Sequence, residues 1–142
     1  MGYSKILIAI DGSEYALNAA KKGLALADQL NAEVALLFVI DTRKAIGSVD
    51  AGISHDDALI ILKKEAEQTL DQMAAMYGGR PVKLMPEGHP RDEILKTTEI
   101  WEADLLVVGT HGRTGLMHLL LGSSAEYLVR HSKIPVMVVP SK

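Results

Sequence analysis

The chain contains no cysteine. Disulfides, thiolate catalysis and cysteine-ligated zinc are therefore excluded. Aromatic residues make up only 4% of the 142 residues, so a core must be built from Leu, Ile, Val, Ala and Met. Long apolar runs are missing too. ILIAI, ahead of Asp11, is five residues, too short for a signal peptide. No run approaches the roughly eighteen residues a membrane span needs. Ile6 stands where a myristoylated Gly2 would require Ser or Thr. A basic surplus is lacking as well: 15 Lys and Arg against 18 Asp and Glu leave a net charge of −3. That offers no electrostatic footprint for nucleic acid. The expectation is a cytoplasmic protein with neither membrane nor nucleic-acid partner.

What is present is globular. The apolar share is 48% and the charged share 23%, which argues against disorder. The length suits one domain, 1–142. Residues 5–10 (KILIAI) read as a buried strand and DGS as the turn after it. Over 14–30 the residues Ala16, Ala20, Leu24, Ala27 and Leu30 draw a helical stripe. Ala19, Ala20 and Gly23 would let that helix lie close on a sheet. Residues 33–40 predict a second strand and 41–53 a loop. Ser54 opens a capping-box pattern with Asp57. The helix it starts is expected to run to Tyr77, before Gly78-Gly79, with Leu59, Leu62, Ala66, Leu70 and Met73 on its inner face. Ile60 and Ile61 lie off that stripe.

Residues 82–87 predict a short strand, Pro90 the first turn of a helix to residue 102, and 104–108 another strand. A last helix over 123–131 and a strand over 134–139 complete the order. Apolar strands alternating with helices imply an α/β fold, a parallel sheet covered on both sides.

The stretch GTHGRTGLMHLLLGSS is the least ordinary. It places four glycines, Gly109, Gly112, Gly115 and Gly122, within fourteen residues. In open parallel sheets, ligands bind beyond the carboxyl ends of strands where strand order reverses. Asp11-Gly12-Ser13 and the segment from Gly109 both qualify. Glycines at 109 and 112 could take positive φ and let main-chain N–H groups approach a ligand. Gly122, Ser123 and Ser124 would stand at a helix N-terminus, which favours phosphate. A Walker A loop is absent, since no Gly-Lys pair occurs, and G-x-G-x-x-G is absent too.

Blander readings accompany each residue. Ser123 with Glu126 three residues on could simply cap its helix. Asp11 could bond its own turn. Arg113 could pair with phosphate or be a solvated loop arginine. His111 lies within the glycine segment. The five histidines show no metal-binding spacing.

At these residues the chain resembles the universal stress protein family, in its ATP-binding branch with G-x2-G-x9-G-[ST]. Gly109, Gly112, Gly122 and Ser123 match, with nine residues between Gly112 and Gly122. ILIAIDGSE, FVID, EGHPRDEIL and LLLGSSAEYLVRHSKIPVMVVP carry the resemblance along nearly the whole chain. It implies a single three-layer, Rossmann-like domain whose five-stranded parallel sheet has the order 3-2-1-4-5. It also implies a homodimer through the last strand, with Ile134, Val136 and Val138 at the edge. Asp11 would hold the ribose of ATP, and Ala9 and Val39 would line the adenine site, Val39 through its backbone. Gly109, Gly112, Gly122, Ser123 and Ser124 would bind phosphates, with Arg113 and His111 nearby. Mg or Mn would be held through the phosphates. Ala125 stands where a hydroxyl could have added a contact.

Three functions follow from this reading. One is an ATP-binding stress-response protein acting as a dimer. Another is a slow ATPase or self-phosphorylating protein, for which no convincing base is found. The third is a dimeric interaction protein without nucleotide.

Overall fold

The computed structural model describes residues 2–46, 52–110 and 121–140. Strand β1 (Lys5–Ile10) is central, and its Ile6, Leu7 and Ile8 are wholly buried. It is apolar at successive positions because both faces of its sheet are covered. Helix α1 (Glu14–Leu30) begins where the Ser13 hydroxyl accepts the N–H of Ala16 at 3.2 Å. It stops at Asn31, in the left-handed region with φ 54°, where a short polar side chain costs little. Ala19 and Ala20 are fully buried. A methyl added at Gly23 would stand 2.7 Å from Ile8 Cδ1 and 3.3 Å from Val107 Cγ1, so α1 lies close on the sheet at this point, as expected.

The chain continues through β2 (Glu33–Phe38), β3 (Ile40–Asp41), α2 (Arg43–Ile46), α3 (His55–Ala74), β4 (Val82–Leu84) and β5 (Glu87–Gly88). It ends with α4 (Pro90–Ile100), β6 (Leu105–Gly109), α5 (Ser123–His131) and β7 (Val136–Val139). Five strands form a parallel sheet of order β4-β2-β1-β6-β7, the 3-2-1-4-5 order of the resemblance. Ile6, Ile8 and Ile10 meet α1 and the Leu70 and Met73 side chains of α3 on one face. Leu7, Leu37, Leu106 and Val108 meet Ala125 and Leu128 of α5 on the other, where Ile94, Leu95 and Trp101 also pack. Each fully buried Leu or Ile contributes about 1.5–3 kcal/mol.

Several expected boundaries shift. The strand foreseen over 33–40 leaves the main sheet after Phe38, and β3 pairs instead with β5 in a small two-stranded sheet. The strand foreseen over 82–87 divides for the same reason. A short helix, α2, occupies part of the expected loop. The Ser54 hydroxyl accepts from Asp57 N–H at 3.1 Å, as the capping pattern required. Helix α3 ends at Ala74, before Tyr77, and Leu59 and Leu62 are only half-buried. Ile60 and Ile61 are exposed, at 62% and 54%.

The amino ends of the two central strands are tied by Asp104. Its carboxylate accepts from the Ser4 N–H and hydroxyl at 2.9 Å each and from Lys5 N–H at 3.0 Å. Burial opposes ionisation, but these hydrogen bonds outweigh it and hold the carboxyl below its ordinary value.

Candidate functional site

Because β1 and β6 are adjacent and parallel, their carboxyl ends emerge side by side. After β1, Gly12 takes φ 84°, a conformation that suits glycine. Asp11 Oδ1 accepts from Ser13 N–H at 2.9 Å and from the Ser13 hydroxyl at 2.6 Å. The turn reading of Asp11 is therefore realised. The same hydroxyl caps α1, so Asp11 is held rigidly at the strand end.

Gly109 ends β6, but it is not among the positive-φ glycines, contrary to the reason expected for it. A methyl there would lie 3.1 Å from the Tyr15 carbonyl oxygen. Close passage of the α1 main chain leaves a side chain here little room. Beyond it, Thr110 donates its N–H and hydroxyl to the Val139 carbonyl, at 3.1 and 2.9 Å. Gly122 N–H then returns to the Thr110 carbonyl at 2.8 Å. That bond pins the start of α5 to the end of β6. His111, Gly112 and Arg113 lie outside the described residues.

Gly122 is the N-cap of α5, with φ −62° and ψ 152° and no side-chain cap bond. Ser123 therefore does not cap the helix as its spacing with Glu126 had allowed. It occupies the first helical position, and Glu126 pairs instead with Arg130 at 3.0 Å. Ser123 and Ser124 are exposed. Their amides begin a nine-residue helix whose dipole favours an anion at this end. Ala125 is buried and packs into the core, so a hydroxyl there would face the sheet and could not meet a ligand.

Ala9 and Val39 join the same apolar cluster, Ala9 half-buried and Val39 buried. Val39 sits between the two sheets, just past the end of β2. Beside it is a cleft of about 60 Å³, lined in part by Phe38, Val39, Asp41 and Leu62. That is well below the roughly 300 Å³ at which small-molecule pockets begin.

Two features carry no signal in linear spacing. Asp41, nearly buried, is gripped by Arg43 through Nε to Oδ1 at 2.9 Å and Nη2 to Oδ2 at 2.7 Å. The guanidinium bond, chiefly, holds this carboxyl below its usual range. Arg43 also stands 3.3 Å from His89 Nε2. The second is Arg91 on α4, which reaches across to α5. Its Nη2 is 3.5 Å from Ser123 Oγ, and its guanidinium lies 5.2 Å from the Tyr127 ring centre.

Among the described residues, no group of three or more His, Cys, Asp or Glu could hold a metal. No described helix is long and apolar enough to cross a membrane.

The model of the universal stress protein family matches residues 2–140. The universal stress protein MJ0531 of Methanocaldococcus jannaschii is 39% identical over 140 residues, 96% of this chain and 82% of that protein. The solved structure of protein MJ0577 from the same organism superposes with a TM-score of 0.84 at 33% identity, covering 98% of this chain and 96% of the other. The universal stress protein of Archaeoglobus fulgidus in complex with dAMP shares the fold, with a TM-score of 0.66 at 20% identity, covering 97% and 98%. With sheet order, family match and relatives in agreement, the chain belongs to the universal stress protein family.

Proposed function

We propose that this chain, as one domain over 1–142, binds ATP with Mg or Mn on its phosphates and acts as a homodimeric stress-response regulator. The observation that carries the reading is the Gly122–Thr110 bond. It sets the uncapped start of α5 at the end of β6, next to the strand whose turn holds Asp11. In this reading Ala9 and the Val39 backbone receive the adenine and Asp11 the ribose. Gly109, Gly122, Ser123 and Ser124 meet the phosphates, together with His111, Gly112 and Arg113. The A. fulgidus protein was solved with an adenine nucleotide, but its likeness is one of fold. The assignment rests on the cradle of this chain.

A binding role is favoured over catalysis. Phosphoryl transfer to water needs a group that orients the nucleophile. Of the carboxylates near the cradle, Asp11 is taken in this reading by the ribose, and Glu126 pairs with Arg130.

The dimer is proposed through the outer edge of β7, which no described strand covers. Pro135 and Val139 direct their carbonyls to β6. Strand alternation then turns the main-chain groups of Val136 and Val138 to the opposite edge. An unpaired edge of this kind invites a second copy.

Titration calorimetry of nucleotide-free protein with ATP and Mg tests the ligand. Heat of binding is expected, with a thermal shift equivalent to about 2.7 kcal/mol at a hundred times the dissociation constant. Neither heat nor shift would reject the proposal.

A further inference from the structure

We infer that Arg91 reads the phosphate chain, so that through it the protein prefers a nucleoside triphosphate to a monophosphate. This rests on the nucleotide reading above. Two other arginines of the structure are matched to carboxylates: Arg43 holds Asp41 at 2.7 Å and Arg130 holds Glu126 at 3.0 Å. Arg91 has no carboxylate partner among the described residues. Its neighbours are the face of a phenol ring and one hydroxyl at the 3.5 Å limit of a hydrogen bond. A guanidinium carries five N–H donors in a planar fork that fits phosphate oxygens. Here the ring orients that fork and leaves most of its donors uncommitted.

The place of Arg91 matters as much as its charge. Its side chain ends at Ser123, beside the first turn of α5, so a mobile cation and fixed main-chain donors share one spot. The ring beneath it is steadied from both sides. Tyr127 Oη lies 3.4 Å from Asp92 Oδ1, and the ring meets His131 at 4.3 Å between centres.

The sheet supplies the direction. A nucleotide with its base at Val39, past β2, and its ribose at Asp11, past β1, runs toward β6 and the start of α5. Neighbouring strands are about 4.8 Å apart. Each step along the sheet therefore carries the ligand further from the base and nearer the distal phosphates. The α-phosphate lies closest to β1, whereas the tail of a triphosphate extends toward Ser123 and the Arg91 fork. A monophosphate ends short of it.

Calorimetry with AMP and with ATP, each with Mg, on nucleotide-free wild type, Arg91→Ala and Arg91→Lys tests this. Arg91→Ala should weaken ATP about tenfold or more while AMP stays within about twofold. Arg91→Lys, which keeps the charge without the fork, should recover part of the ATP loss and serves as a second variant should alanine unfold the α4–α5 contact. Equal weakening of both nucleotides, or no weakening of either, would overturn the role of Arg91 while leaving the site intact. A wild type that binds neither nucleotide would overturn the nucleotide reading itself, and this proposal with it.

Discussion

Gly109→Ala separates two reasons for a glycine at the end of β6. The added methyl would stand 3.1 Å from the Tyr15 carbonyl oxygen and 3.3 Å from its carbon. Both atoms belong to the main chain of α1 and cannot swing aside. Carbon–oxygen contacts are ordinarily about 3.3–3.6 Å, so helix and strand must part by a few tenths of an ångström. Overpacking of this kind costs about 1–3 kcal/mol. The variant regains about 0.4–1 kcal/mol from a less flexible unfolded chain, because the native φ at Gly109 is not positive. The net expectation is a loss of about 1–2 kcal/mol. For a chain of this size that is a fall in Tm of roughly 3–8 °C. Differential scanning calorimetry on nucleotide-free protein measures it without interference from binding. Gly78→Ala is the control, since nothing lies within 4 Å of its added methyl, and it should match or slightly exceed wild type. A Gly109→Ala protein as stable as that control would refute the packing argument and leave ligand approach as the reason for the glycine.

Gly122→Val should abolish ATP binding by calorimetry yet keep the fold by circular dichroism, because φ −62° and ψ 152° suit a β-branched residue. Unchanged ATP affinity would count against phosphate approach at this point. In β7, Val138→Pro removes an N–H facing the open edge, not one bonded to β6. Sedimentation should show wild type as a dimer at micromolar concentration and the variant as a folded monomer. A wild-type monomer would remove the basis for the edge pairing. Asp104→Ala breaks the ties to Ser4 and Lys5 and should cost about 2 kcal/mol at pH 7 by urea unfolding, reduced where solvent reaches them. Since the folded carboxyl sits below its ordinary 3.8, that stabilisation is complete above this value and fades as pH falls through the lowered one. Wild type and variant should therefore converge in acid, and a constant gap down to pH 2 would contradict the linkage.

The sheet was legible because its strands are apolar at nearly every position and separated by amphipathic helices. Ala19, Ala20 and Gly23 even announced the close approach of α1. The break at Val39 was hidden: Phe38, Val39 and Ile40 all favour strand, and the reason for leaving the sheet is a partner at residues 87–88. Spacing suggested a capping box at Ser123, yet the chain enters α5 one residue earlier, with its entry angle fixed by Thr110. The need for Gly109 was visible, but its cause was not, because Tyr15 lies almost a hundred residues upstream. Arg91 was invisible for the same reason, 32 residues from the hydroxyl it approaches. Local periodicity reports which face is buried, not which distant atom comes to rest against it.

The Asp104 tie also bears on how the chain is made. During synthesis β1 emerges early and can pair with β2 at once, but the neighbour on its other side is separated by about a hundred residues. Until β6 leaves the ribosome, β1 offers an unpaired edge of main-chain N–H and C=O groups, with the apolar Ile6, Leu7 and Ile8 above and below it, to any nascent strand nearby. Such a topology folds slowly and late. The Asp104 carboxylate, arriving with β6, is positioned to lock the correct register at the moment that edge closes.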